Sequence, residues 1–173
     1  MASHGEQIGQ GDLSADRLVN ANISPLTGLA TDYLNHFNEV VMLFELITDM
    51  PECVSDVLAW QPLSYCDHFQ NSGFAEKELA IRAYEAASAP VRSTFDTVVS
   101  ELNTEIIQMQ ELVSQTDLGE PASKTMIADR VKNQLQPLIS AAGGVIHGHD
   151  VGAVDIMPAD CESSQADIDA LFA

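Results

Sequence analysis

The sequence predicts an all-α protein, an irregular bundle of about four principal helices joined by short connecting helices. Apolar residues recur at spacings of three and four over several long stretches, as they do on the buried face of a helix. No stretch alternates apolar and polar residues, and no glycine-aspartate pair marks a hairpin turn. Because 46% of the 173 residues are hydrophobic, one domain of ordinary size can build its own core.

The first principal helix is predicted to begin at Ser24-Pro25, because serine caps helices and proline suits the first helical position. Its apolar stripe consists of Leu26, Ala30, Tyr33, Phe37, Val40, Phe44 and Ile47. Asp49-Met50-Pro51 is predicted to end it. Residues 1–23 hold three glycines among polar residues, which predicts a mobile lead-in with a short helix near Ser14–Val19.

A connection of short helices is predicted to follow. A short helix is expected over 51–59, and Trp60-Gln61-Pro62 breaks the chain after it. One or two helical turns over 63–74 complete this connection, which spans 51–74. A further principal helix is expected over 75–87, where Ala, Glu and Leu are frequent. We expect this connection to cover Met42, an apolar residue on the polar face of the first helix.

Two further principal helices are predicted in the second half of the chain. The first begins at Ser88-Ala89-Pro90 and runs for about 25 residues. Its stripe consists of Val91, Phe95, Val98, Leu102, Ile106, Met109 and Val113. The last helix is predicted over 122–141, with Pro137 kinking or shortening its final turn and Gly143-Gly144 ending it. The bundle domain is therefore expected to span 24–142.

Charge and composition exclude several classes of function. Seven Lys and Arg against 26 Asp and Glu give a net charge of −19, which disfavours nucleic acid and anionic membrane surfaces as partners. Three scattered cysteines do not form a disulfide framework, and we expect a cytoplasmic protein. No nucleotide-binding loop, dinucleotide fingerprint or nucleophile elbow occurs, so no cofactor is predicted. The oligomeric state stays open.

The C-terminal residues differ from the rest of the chain. Residues 143–162 are rich in glycine and acids, which predicts a flexible acidic linker. Residues 163–173 then form a short amphipathic element, in which Ser164 is a candidate N-cap and Asp167 suits the positive helix end. Its apolar edge consists of Ile168, Leu171 and Phe172. An isolated helix this short is marginal in water, so it needs a groove to lie in.

This terminal segment resembles the peptide with which bacterial motility proteins bind a CheY-type response regulator. The flagellar switch protein FliM has a Ser-Gln-x-acidic-Ile-Asp-x-Leu pattern at its N-terminus. The chemotaxis phosphatase CheZ has a looser version at its C-terminus, after a linker. The resemblance covers about ten residues and implies a receiver-domain partner. The matching positions, with Phe172 in place of a second leucine, are Ser164, Gln165, Asp167, Ile168, Asp169 and Leu171.

The same resemblance directs attention to phosphatase residues in the helical body. The chemotaxis phosphatase orients the attacking water with a side-chain amide, and an acidic residue one turn away contacts a lysine of the regulator. Its Asp-x-x-x-Gln pattern has no exact copy here. Glu111 with Gln115 is the first approximation, and Asp129 with Asn133 is the second. Asp32-x-x-Asn35 approximates the Glu-x-x-Asn pattern of the CheC class. Acid-amide pairs are also common on solvated helices.

Alternatives from other classes stay open. The chain is also consistent with a helical interaction or structural protein of no enzymatic activity, whose tail packs on its own bundle. A metal-binding bundle is the third interpretation, because His36-x-x-Glu39 and His147-Gly148-His149 carry ligand types. One isolated copy without partners favours a hydrogen-bonded, half-buried His36 and a solvated linker instead. We therefore predict no metal site.

Overall fold

The computed structural model describes residues 5–149 and confirms an all-α bundle. The helices are α1 (Ala15–Asn20), α2 (Leu34–Leu46), α3 (Val54–Ala59), α4 (Tyr65–Asn71), α5 (Lys77–Ala86), α6 (Ala89–Gln115), α7 (Pro121–Arg130) and α8 (Gln136–Ile146). Within this range, β structure is limited to an isolated bridge between Ile23 and Ala30. No helix among these residues is long and apolar enough to cross a membrane.

The long helix α6 organises the core. It packs against α3 and α8, while α2 packs against α3, α7 and α8. The predicted stripe of α6 is buried from Phe95 to Val113, and burying each such side chain stabilises the fold by about 1.5–3 kcal/mol. The predicted start at Ser88 is also confirmed, since its Oγ accepts a hydrogen bond from the N–H of Val91 at 3.4 Å.

The prediction of a mobile lead-in over 1–23 is wrong for the described part of that segment. Leu13 and Leu18 are fully buried, and Ile23 is nearly so. Glu6 also pairs with Arg82 of α5. The expected short helix is present as α1, but its apolar residues belong to the core, so the domain begins well before residue 24.

The predicted helix start at Ser24-Pro25 is wrong, because residues 24–30 form a hydrogen-bonded turn and not the first turns of a helix. The N–H of Ser24 donates to the carbonyl of Leu29 at 2.9 Å, and the N–H of Gly28 donates back to the carbonyl of Ser24 at 2.8 Å. Gly28 has a φ of +78°, a left-handed conformation that a helix does not admit. Helix α2 therefore begins only at Leu34, after a 3₁₀ turn over Thr31–Tyr33.

The predicted connection is present, with one exception. Helices α3, α4 and α5 lie where expected, and Ser64 caps α4 by accepting from the N–H of Asp67 at 3.1 Å. The expectation that this connection covers Met42 is wrong, since Met42 is 66% exposed. Met42 lies on the side of α2 opposite the buried Phe37 and Phe44, so helices that pack on the buried side leave it uncovered.

The last helix accommodates Pro137 by a change of helical type. Residues Val131–Leu135 form a π-helical segment between α7 and α8. Pro137 has no N–H, and its ring would clash with the carbonyl of Asn133 in a regular helix. A wider turn at this point lets the chain continue as α8 instead of ending, and π-turns of this kind often mark functional sites.

Gly143-Gly144 does not end this helix, contrary to the prediction. Helix α8 continues to Ile146, and both Val145 and Ile146 are buried. The hydroxyl of Thr27 donates to the carbonyl of Ile146 at 2.6 Å and so satisfies a group that the helix end leaves free. The bundle therefore extends beyond residue 142, and residues 143–146 are not linker.

Candidate functional site

Asp129 and Asn133 lie one turn apart at the junction of α7 and the π-helical segment. Both are exposed, and both line an open groove of about 520 Å³ together with Met126, Arg130 and Gln134. An exposed amide and an exposed carboxylate on one wall of a groove can meet the surface of a docked protein. We call this feature the α7 groove.

An ion pair between Arg130 and Glu105 links the α7 groove to the long helix α6. The Arg130 guanidinium donates to a carboxylate oxygen of Glu105 at 2.5 Å, and the two side chains are 25% and 15% exposed. Arg130 also donates to the side-chain oxygen of Gln134 at 3.3 Å. These contacts fix one wall of the groove, because a partly buried charge-assisted pair is stronger than an exposed one.

The other predicted pair, Glu111 and Gln115, lies elsewhere. Both side chains are exposed, and Gln115 is the last residue of α6. Ten residues separate Gln115 from Glu105, about 15 Å along the helix axis, so the two pairs do not form one site. A helix C-terminus carries partial negative charge, which disfavours a phosphoryl group there. The geometry therefore favours Asn133 over Gln115 as the candidate amide that would lie next to a phosphoryl group.

The third predicted pair is partly engaged with its neighbours. Asp32 accepts a hydrogen bond from the amide of Asn22 at 3.3 Å. Asn35 is exposed and lines a cleft with His36 and His68. Asp32 is close enough to His68 to raise its pKa, against the larger effect of burial, so it lies near this cleft without being one of its lining residues.

His36 is a structural residue of the aromatic core. Its side-chain Nε2 accepts from the N–H of Leu63 at 3.2 Å, and its carbonyl accepts from the indole of Trp60 at 3.1 Å. Its ring stacks on that of Trp60 with the centroids 4.5 Å apart. The predicted hydrogen bond is thus confirmed, but the residue is only 7% exposed and so more deeply buried than expected.

Metal ligation finds no support within residues 5–149, which contain no cluster of three or more His, Cys, Asp or Glu arranged around an ion. His36 and His68 have ring centroids 6.0 Å apart, and Nε2 of His36 is already occupied by Leu63. His147 and His149 are exposed past the end of α8, with centroids 6.2 Å apart.

Burial keeps the histidine pair uncharged. Desolvation, with a smaller contribution from the nearby His68, lowers the pKa of His36 to about 4. Desolvation also lowers the pKa of His68. Both shifts arise because the interior disfavours a charged imidazolium. The folded protein therefore binds protons less readily than the unfolded chain at mildly acidic pH.

This arrangement predicts a loss of stability below neutral pH. The contribution of His36 should be complete above pH 6.5 and should fall as the pH drops towards 4, by up to about 3 kcal/mol, because the unfolded state takes up the proton first. Denaturant unfolding at several pH values, for the native chain and for His36→Gln, measures how the free energy of unfolding depends on pH. Since carboxylates also titrate in this range, the difference between the two slopes is the informative quantity. Equal slopes would contradict the assignment.

The predicted receiver-binding residues, Ser164 to Phe172, lie outside the described residues. The described chain ends at His149, exposed just past α8. Sequence reasoning also missed a group of polar residues on one face of α6, Asp96, Ser100 and Asn103, which line a second cleft. Their i, i+4, i+7 spacing was the available signal.

The chain matches no protein-family model, no curated protein and no solved structure.

Proposed function

We propose that this chain is a cytoplasmic signalling accessory that binds a CheY-type receiver domain through residues 163–173. The observation that carries the proposal is the Ser-Gln-x-acidic-Ile-Asp-x-Leu pattern at positions 164–171. If this segment forms a helix on binding, its apolar side chains would share one face and its acids would lie beside or opposite it, which suits a groove with a basic rim. The net charge of −19 favours a partner whose docking surface is basic.

The length of chain between Asn133 and this peptide allows a second, catalytic contact. Asn133 precedes the end of α8 by 13 residues, or about 20 Å along the helix. Residues 150–163 can span at most about 46–50 Å. A receiver held by the terminal peptide is therefore within reach of the α7 groove, and tethering raises its effective concentration there.

The chemistry that the resemblance implies is hydrolysis of an aspartyl phosphate. Asn133 would orient a water molecule whose oxygen attacks phosphorus, while the bond between phosphorus and the carboxylate oxygen breaks. The products are inorganic phosphate and a free aspartate, and the water supplies the protons. Asp129 would contact a lysine of the receiver. Such catalysis consists of positioning, which exposed side chains can supply once the receiver docks.

Variants of the terminal peptide test the binding step. Ile168→Ala and Leu171→Ala should each weaken receiver binding by about 1–3 kcal/mol, because each removes apolar area from the interface. Ser164→Ala should cost about 0.5–2 kcal/mol as the loss of a helix cap. Titration calorimetry of the full chain with a phosphomimic-activated receiver measures these losses, and added salt should lower the affinity. Ala166→Ser on the same segment is the control and should change little.

A second candidate is that the tail packs on its own bundle. An open groove of about 300 Å³ lies beside the end of α8, with Leu26, Leu29 and Ile146 among its lining residues. Leu26 is 74% exposed, so it offers apolar area to a segment that docks in this groove. If the tail occupies this groove, removing residues 163–173 should lower the free energy of unfolding. If the tail serves a receiver, removal should abolish co-purification and leave unfolding unchanged.

A further inference from the structure

A second cleft is lined by residues between Tyr33 and Asn103, and it shares no lining residue with the α7 groove. It is formed by the first half of α6, the end of α5 and the segment that leads into α4. Its volume is about 350 Å³, within the range of small-molecule pockets. None of the candidate residues of the proposed function lines it. We call it the tyrosine cleft.

Aromatic side chains form much of the tyrosine cleft. Tyr65 and Tyr84 stack with ring centroids 4.7 Å apart and planes inclined by 18°. Tyr33 and Phe95 lie beneath them with centroids 5.9 Å apart. Hydrogen bonds lock these rings in place, since the Tyr33 hydroxyl donates to the carbonyl of Leu63 at 2.7 Å and the Tyr65 hydroxyl accepts from a backbone N–H at 2.9 Å. The cleft is therefore preformed.

Two side-chain oxygens of the cleft can accept further hydrogen bonds. The Tyr84 hydroxyl donates to Oδ1 of Asp96 at 2.9 Å, while Oδ2 of Asp96 accepts nothing from the described residues. Asn103 lines the same wall, and its Oδ1 is shielded from solvent without a hydrogen-bond partner. The last torsion of asparagine is soft, so this amide can reorient when a ligand binds. Both groups therefore have acceptor capacity that a donor can use.

The field around the cleft is negative. The charges of Glu85, Asp67 and Asp96 all help to raise the pKa of the neighbouring Cys66, after the larger effect of burial. Burial first, and then Asp96, raise the pKa of Tyr84 to about 12, while Arg92 lowers it, so Arg92 is one cation near the cleft against three acids. A cation is therefore favoured at this position and an anion is disfavoured.

We propose that the tyrosine cleft binds a small primary ammonium compound with an apolar body. The ammonium group donates to Asp96 and Asn103, and the apolar body lies against the tyrosine rings, which also attract a cation through their faces. The unpartnered amide of Asn103 is the strongest sign of a ligand, because a buried acceptor without a partner costs stability unless something binds it. This site is independent of the receiver-binding peptide.

Phenethylammonium chloride is a suitable probe, with 2-phenylethanol as its uncharged counterpart. Titration of the ¹⁵N-labelled full chain, followed by amide resonances, should give saturable shifts at Ser64, Tyr84, Ser100 and Asn103. The alcohol should bind about tenfold more weakly, since it lacks the charge. Absence of saturable shifts, or equal affinity for the alcohol, would overturn the proposal.

Matched variants separate the site from general attraction by an acidic protein. Asp96→Asn should weaken binding of phenethylammonium about fivefold. Asp56→Asn makes the same charge change at an exposed position of α3 and should leave the affinity unchanged. Equal losses in the two variants would overturn the proposal.

Asn103→Leu gives a further readout. It should weaken binding and also raise the melting temperature, because it replaces an unpartnered polar group by an apolar one of similar shape. A lower melting temperature together with unchanged affinity would show that Asn103 serves the fold and not a ligand.

Discussion

Replacing Gly28 by alanine should lower the free energy of unfolding by about 3 kcal/mol. A Cβ at this position would lie 2.8 Å from the carbonyl oxygen of Ala83 and 2.6 Å from a terminal carbon of Ile8. The Ile8 side chain can move, but the Ala83 oxygen belongs to the backbone of α5. The left-handed φ of +78° adds a penalty of its own for any residue with a Cβ. Urea unfolding followed by circular dichroism measures the change.

Gly144→Ala is the matched control and should act in the opposite direction. A Cβ at Gly144 would meet nothing within 4 Å, and the residue lies inside α8. Alanine in a helix interior should raise the free energy of unfolding by about 0.5–1 kcal/mol. If Gly144→Ala destabilises the protein, α8 does not continue through this glycine pair. If Gly28→Ala leaves the free energy of unfolding unchanged, residues 24–30 do not form the turn described above.

Asn133→Ala should lower the rate at which the chain accelerates receiver dephosphorylation by about 100-fold. One amide that positions one water carries most of this chemistry, and misplacing a reacting group by about 1 Å costs a factor of that size. Asn133 is exposed, so its removal leaves the fold intact. The measurement is loss of phosphate from a phosphorylated receiver with and without the protein.

Gln115→Ala is the control that compares the two candidate pairs. Because Gln115 lies at the C-terminal end of α6, its loss should change the rate by less than about twofold. A large loss with Gln115→Ala and none with Asn133→Ala would move the site from the α7 groove to the end of α6. Equal phosphate release with and without the native protein would exclude enzymatic activity.

The sequence predicts helices well where the local pattern and the packing agree. The stripe from Phe95 to Val113 is periodic, capped by Ser88 and buried as expected. Prediction from the sequence fails where contacts between distant parts of the chain decide whether a segment is helical. Ser24-Pro25 suits a helix start and a turn equally well, and the choice depends on Gly28 lying against Ala83, 55 residues later in the chain. At Gly143-Gly144, burial of the residues that follow outweighs the low helix propensity of glycine.

At the candidate site, too, the sequence predicts local features and misses those that depend on contacts between helices. The pattern that the resemblance implies picks out Asp129 with Asn133 and Glu111 with Gln115, because an i, i+4 pair is a local property of the sequence. It does not rank them. The ranking depends on the ion pair between Arg130 and Glu105, on the groove beside it, and on α6 ending at Gln115. A contact between two helices has no signature in either helix alone.

Calorimetry of a synthetic 163–173 peptide with a phosphomimic-activated CheY-type receiver tests the central claim most directly. The peptide contains every residue of the pattern and none of the bundle, so its binding does not depend on the α7 groove. We expect a dissociation constant of roughly micromolar order, near −8 kcal/mol, since folding on binding offsets part of the gain from three apolar side chains. A peptide with Ile168 and Leu171 replaced by alanine should give no measurable heat. If the native peptide also gives none at high micromolar concentration, across several CheY-type receivers from the source organism, the chain does not bind receivers through its tail.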